Sequence, residues 1–210
     1  MSGSNETDNS NLSGQGEQTA RLVILAQNGD HTAFHRLADR YQPEIFRMMY
    51  YRTRSRMDAE DLTQDVFLRA YKQIGRIESP ALFRSWLYRI AVNRVKDFYR
   101  RQRIKSLVGW VSLDEEGFRE SEEMVVAPDA EERLDRRDFW NRVEGLLERL
   151  SKKEREAFLL RFFDQLSIQE MTTAMGKNES TVKTHLYRAL NKIKAAMAER
   201  PDKDDFWESI

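Results

Sequence analysis

The chain contains no cysteine, which excludes a disulfide framework, thiolate zinc sites and cysteine nucleophiles. Histidine is scarce, with 3 in 210 residues, and leaves little room for a Ser–His–Asp triad. No run of about 18 consecutive apolar residues occurs, so no membrane insertion is expected. Residues 1–18 are polar and rich in Ser, Asn and Gly, without the apolar core of a signal peptide. They are expected to form a disordered tail on a cytoplasmic protein. No Gly-rich phosphate loop is present, and no carboxylate is marked by its neighbours as a general acid or base. An enzyme is therefore the poorest reading, and no catalytic residue, cofactor or metal is expected. Net charge is absent too, Lys plus Arg and Asp plus Glu being 35 each. A third of the residues are charged, yet 40% are hydrophobic, enough to exclude a wholly disordered chain.

The zero sum hides segregation. Ala81 to Lys105 holds 8 basic residues against 1 acidic, whereas Ser106 to Trp140 holds 4 against 11. From Asn141 to Arg200 the balance is 12 basic to 8 acidic, and the last ten residues carry 1 to 4. Two basic blocks around an acidic stretch suit two polyanion-facing modules and a solvated connector. The same runs also suit plain solvation of helix faces.

Nearly all patterned stretches have helical period. Glu17 to Asn28 is a short candidate stopped by Gly29, and Asp30 is placed to cap the next helix, with Ala33, Phe34, Leu37, Ala38 and Tyr41 on one face. Pro43 is expected to kink or split it before Ile45, Phe46, Met49 and Tyr50. Asp58 is expected to cap a third helix ended by Gly75, with Leu62, Val66, Phe67, Ala70, Tyr71 and Ile74 on one face. Ser79-Pro80 starts a long basic helix that runs to about Lys105. Ser106 to Pro128 lacks period and reads as a flexible acidic linker, with Val108 to Leu113 as a candidate extended piece. Helical pattern returns through Leu134, Trp140, Val143, Leu146 and Leu147. Ser151–Glu154 and Ser167–Glu170 have the spacing of capping boxes, and a last helix spans about Glu179 to Arg200. The expected fold is all-α, two small helical domains joined by the linker, the C-terminal one a helix-turn-helix.

In that last pair, Ile168, Met171 and Met175 face inward from the first helix. Val182, Leu186, Ala189, Leu190, Ile193 and Met197 do so from the second. Gly176-Lys177-Asn178 supplies the turn, and Ser180, Thr181, Lys183, Thr184, Tyr187, Arg188 and Lys192 form the opposite face. Short hydroxylic side chains let a helix approach base edges and phosphates, and Lys183 and Arg188 can reach guanine edges. An ordinary helical hairpin with a basic face has the same pattern. In the long helix, Phe83, Trp86, Leu87, Ile90 and Phe98 make an apolar stripe among Arg84, Arg89, Asn93, Arg94, Lys96, Arg100, Arg101 and Arg103. Rings beside cations suit exposed single strands. Most of those rings also suit a core, and a membrane-surface helix would share the arginine density. His31 and His35, four apart, could share a metal, but no third ligand is evident.

Three stretches, Asp58 to Tyr71 (DAEDLTQDVFLRAY), Phe83 to Asn93 (FRSWLYRIAVN) and Ser180 to Arg188 (STVKTHLYR), carry a resemblance to the extracytoplasmic-function (ECF) sigma factors of bacterial RNA polymerase. It covers about Thr19 to Lys105 and Leu134 to Met197. The resemblance implies residues 19–105 as sigma region 2, which binds core polymerase and recognises and melts the −10 element. It implies residues 129–200 as region 4, which reads the −35 element, flanked by the 106–128 linker and an acidic 201–210 tail. Asp61, Gln64 and Asp65 would meet core polymerase. Arg76, Ile77, Glu78, Ser79 and Asn93 would contact the non-template strand of the −10 element. Ser180, Thr181, Lys183, Thr184, Tyr187 and Arg188 would face the −35 duplex. Core RNA polymerase, promoter DNA and an anti-sigma factor are the implied partners, and transcription regulation in stress response the implied setting. Thr172, Ser180 and His185 depart from the usual Ala, Gly and Arg. Reach is compatible with that function: the 23 residues of the linker extend to about 75 Å at roughly 3.3 Å each, and promoter elements one and a half to two turns apart need about 50–70 Å. Facing the basic helix, the acidic linker could also restrain DNA binding by the free protein. A stand-alone helix-turn-helix regulator and a nucleic-acid-processing enzyme are the competing classes.

Overall fold

The structure, a computed structural model, describes residues 4–107 and 143–198. Every regular element among them is helical. The chain divides into two compact units, residues 1–113 and 114–210. The linker beyond Leu107, the Val108–Leu113 piece, the Leu134 and Trp140 pattern and the 201–210 tail lie outside the described residues, as does the end of the last helix beyond Ala198.

In the first unit, α1 spans Ser4–Gln27, so helix begins well inside the segment expected to be a disordered tail. Gly14 and Gly16 weaken this stretch by about 1 kcal/mol each relative to Ala but do not break it as proline would. A helix already anchored at its far end adds residues without a new nucleation cost. The anchor is the buried Val23 together with Thr19, whose hydroxyl lies 3.3 Å from the Tyr41 hydroxyl and accepts from Arg40 Nη1 at 3.2 Å. Gly29, at φ 93°, turns the chain, and the Asp30 amide donates back to Leu25 O at 3.1 Å.

Asp30 then caps α2, His31–Thr53, by accepting from the Ala33 amide at 3.0 Å. Pro43 does not split α2. It forfeits the bond to the carbonyl four residues back and crowds it, at a cost of about 3 kcal/mol. Phe34 and Leu37 before it and Ile45, Met48 and Met49 after it are all buried. At about 1.5–3 kcal/mol for each large apolar side chain, their burial outweighs the defect. Arg54 ends α2 in the left-handed region at φ 57°.

The third helix, α3 at Arg56–Gln73, is capped by Ser55 rather than Asp58. The Ser55 hydroxyl accepts from the Asp58 amide at 3.2 Å, and Asp58 sits in the first turn, where its charge favours the helix dipole. Two 3₁₀ turns, Ile74–Arg76 and Pro80–Leu82, lead into α4, Phe83–Leu107. Ser79 makes no side-chain cap; its carbonyl accepts from the Leu82 amide at 3.0 Å. Phe83, Leu87, Tyr88, Ala91, Val92 and Val95 bury one face of α4.

The second unit comprises α5 (described over residues 143–148), α6 (Lys152–Phe162), α7 (Ile168–Met175) and α8 (Glu179–Ala198). Val143, Leu146, Leu147, Leu150, Phe158, Leu159, Ala189, Ile193 and Ala196 form one apolar cluster. Both expected capping boxes are present, with Ser151 and Ser167 amides each donating to the glutamate three residues on at 2.8 Å. Glu154 also ties α6 to α8, because Lys192 Nζ donates to its Oε2 at 2.7 Å. That hydrogen bond holds the Glu154 carboxyl below its usual pKa, against the opposing effect of burial and with help from Ser151. A carboxyl whose pKa is depressed by folding stabilises the fold fully above its unfolded pKa, about 4.3, and loses that contribution as pH falls through the folded value. Glu154→Gln is therefore expected to lower Tm at pH 7, and thermal melts should show the gap to wild type closing below about pH 4.

Candidate functional site

The helix-turn-helix is fixed from behind. Gly176 ends α7 at φ 62°, and the Lys177 amide donates to Thr172 O at 3.1 Å, closing the turn. Asn178 Oδ1 then accepts from the Thr181 amide at 2.9 Å and starts α8. Met171, Ala174, Val182, Leu186 and Ala189 are buried between the helices. Ile168 and Met175 are half-buried. Turned outward are Ser180, Lys183, Thr184, Arg188 and Tyr187, the last 64% exposed, while Thr181 and His185 are half-buried. Five of the six residues expected to face the −35 duplex thus lie exposed on α8. The Thr184 hydroxyl donates to Ser180 O at 2.8 Å, which leaves its oxygen as an acceptor. Lys183 Nζ pairs with Glu179 at 2.6 Å, and this hydrogen bond raises the lysine pKa. Thr172 is half-buried, and its hydroxyl donates to Gln169 O at 2.7 Å.

In the first unit, Asp61 and Gln64 are exposed and line a groove of about 770 Å³ between α2 and α3. Phe34, Phe46, Phe67, Leu68 and Tyr71 give it an apolar floor and wall. Tyr71, read from periodicity as part of the buried face, is 43% exposed here, with its hydroxyl 2.6 Å from His31 Nδ1. His35 lines the same groove. Asp65 is half-exposed. It is ion-paired with Arg94 of α4, and Arg94, expected among the exposed basic residues, is 3% exposed. Its Nη1 lies 3.8 Å from Asp97, and its Nε and Nη1 have no hydrogen-bond partner among the described residues.

The loop before α4 presents Arg76, Glu78 and Ser79 to solvent. Ile77 is not presented: at 8% exposure it is a buried peg, beside the equally buried Ile74. Asn93 is exposed on α4, in a stripe with Arg89, Lys96, Arg100 and Arg103 at alternating spacings of four and three that keeps to one helix face. Trp86, Ile90 and Phe98 are half-buried. Sequence reasoning missed Gln27, whose Nε2 donates to Ile74 O at 3.0 Å and Ile77 O at 2.9 Å. Only its place at the end of an otherwise unassigned helix could have drawn attention to it.

Residues 37–104 match the family described as Sigma-70 region 2, and residues 140–193 match Sigma-70, region 4. The ECF RNA polymerase sigma factor BldN of Streptomyces coelicolor is 36% identical over 175 residues, 82% of this chain and 63% of that protein. The chain belongs to the ECF sigma factors. It spans somewhat less than two thirds of that relative's length, but 94% of the RNA polymerase sigma-H factor of Pseudomonas aeruginosa, to which it is 29% identical over 182 residues. The fold is also that of the sigma factor RpoE of Bartonella quintana, solved in complex with the anti-sigma factor NepR. There the TM-score is 0.59 at 22% identity, covering 80% of this chain and 98% of that one. No described helix of this sigma factor is long and apolar enough to cross a membrane.

What the two carboxylates touch separates their effects. Asp65→Ala leaves the buried Arg94 guanidinium with only the more distant Asp97 carboxylate and is expected to cost about 1.5 kcal/mol of stability, whereas Asp61→Arg, at an exposed site, should stay within about 0.5 kcal/mol. Chemical denaturation of the two variants checks both values.

Proposed function

We propose that this ECF sigma factor binds core RNA polymerase in the bacterial cytoplasm and directs promoter-specific initiation. In this reading it recognises a −35 element through α8 and captures and helps melt the −10 element through the loop before α4. The observation that carries the reading is that regions 2 and 4 occur in order in one chain, each with its own outward polar face. A lone helix-turn-helix regulator has no use for the first unit's groove and basic stripe.

The physical roles follow from the side chains. Asp61 and Gln64, on the rim of an apolar groove, suit a basic amphipathic helix of the polymerase. On α8, Ser180 and Thr184 permit close approach to the major groove, and Lys183, Tyr187 and Arg188 reach beyond them. Lys183 would exchange Glu179 for a phosphate, at little cost because that pair is exposed. Along α4 the cationic stripe can hold a strand's phosphates while Asn93, Arg76, Glu78 and Ser79 meet bases released from the stack. Asp65 sets α4 through Arg94 while its half-exposed carboxylate stays available to polymerase, and Ile77 anchors the loop. The chain contributes binding energy that offsets lost base stacking, and polymerase performs the chemistry. An anti-sigma partner accords with the complex formed by the Bartonella relative.

Run-off transcription with core polymerase over a promoter library is expected to yield specific start sites only when the chain is added. In the same assay Arg188→Ala should lose about 1–3 kcal/mol of discrimination at one −35 position. Asp61→Arg should abolish association with core polymerase in a pull-down. DNA binding that directs no initiation and needs no polymerase would favour the stand-alone regulator instead.

A further inference from the structure

Gln27 is the last residue of α1 and lies before the residues 37–104 that match region 2. Its half-buried side chain crosses to the loop between α3 and α4, where Nε2 donates to Ile74 O at 3.0 Å and to Ile77 O at 2.9 Å. Carbonyl oxygens only accept, so one group must supply two protons at one point. The amide nitrogen of glutamine does this without placing a charge there. The Ile77 amide closes the same turn on Ile74 O at 3.2 Å. Ile74 and Ile77 are both buried, whereas Gly75, Arg76, Glu78 and Ser79 are exposed. Both buried ends of the turn are therefore held by one side chain, and the outward residues project from a fixed base.

The donor is itself held in place. Behind Gln27 the chain is locked by Asn28 N to Ile24 O at 3.2 Å, Asp30 N to Leu25 O at 3.1 Å and the left-handed Gly29. Further back, Thr19 contacts Tyr41 of α2. We propose that Gln27 is a positioning residue for −10 recognition, clamping the loop so that Arg76, Glu78 and Ser79 are presented in one conformation. This rests on the proposed promoter reading of that loop. It gives α1 a role in specificity without any contact to DNA.

Gln27→Glu keeps the size of the side chain but turns an acceptor toward two carbonyls, whereas Gln27→Lys keeps a donor. With core polymerase and the full chain, the ratio of run-off product from matched and mismatched −10 elements is expected to fall on the order of tenfold in Gln27→Glu. Gln27→Lys should recover most of it, with −35 discrimination and polymerase affinity unchanged in both. Hydrogen exchange of the free chain should show the Ile77 amide exchanging on the order of ten times faster in Gln27→Glu. An unchanged −10 ratio, an equal loss at the −35 element or in polymerase affinity, or a Gln27→Lys variant as poor as Gln27→Glu would each overturn the role of Gln27. Failure of the wild-type chain to initiate at all would overturn the promoter reading and this role together. A normal wild type with an unresponsive Gln27→Glu would overturn this role alone.

Discussion

A guanidinium almost out of contact with water governs how α3 meets α4. Removing a cation from water costs several kcal/mol unless a counter-charge accompanies it, and Arg94 has its counter-charge in Asp65 across the helix pair. With Arg94 turned inward beside Leu87, Ala91 and Val95, the rotation of α4 about its own axis is set. Asn93, about 100° from Arg94 on the side away from Val95, faces outward with Arg89, Lys96 and Arg100 of its stripe. The pair thus fixes which side chains of α4 are available to a partner. A carboxylate that resembles a polymerase contact in the sequence also orients the neighbouring surface.

The same division of labour recurs in the second unit. Side chains that can touch a ligand are exposed, so they contribute little to holding their own backbone in place. Holding is done from the other side, by Met171, Val182, Leu186 and Ala189 in the core and by Ser167, Gly176 and Asn178 at the helix ends. Capping bonds are worth about 1 kcal/mol each, a modest sum, but they also fix where α8 begins. A start displaced by one residue would rotate Lys183, Thr184, Tyr187 and Arg188 by about 100° and remove the shared face.

Much of this was legible because local chemistry decided it. Ser151–Glu154, Ser167–Glu170, Asp30, Gly176 and Asn178 act within four residues of themselves, and each does what its spacing implies. The exposed face of α8 followed from period alone. Apart from the caps, where Ser55 takes the place expected of Asp58 and Ser79 makes no side-chain bond, what escaped depends on partners distant in sequence. Pro43 sits inside an unbroken helix because the burial around it outweighs a local defect. Arg94 and Asp65 differ by 29 positions and Gln27 and Ile77 by 50, and no periodicity records such a pairing. Ile77, adjacent to exposed Arg76 and Glu78, is buried because the loop needs an anchor. Family resemblance pointed to the surfaces, while tertiary contacts separated the exposed residues from the supporting ones.

The central claim is that these surfaces open a promoter only when core polymerase carries them. Permanganate reactivity of −10 thymines on a linear promoter, with the chain alone, core polymerase alone and the two combined, measures this directly. The account predicts reactive, unpaired thymines only in the combined sample. Reactivity with the chain alone, or none with both present, would contradict it.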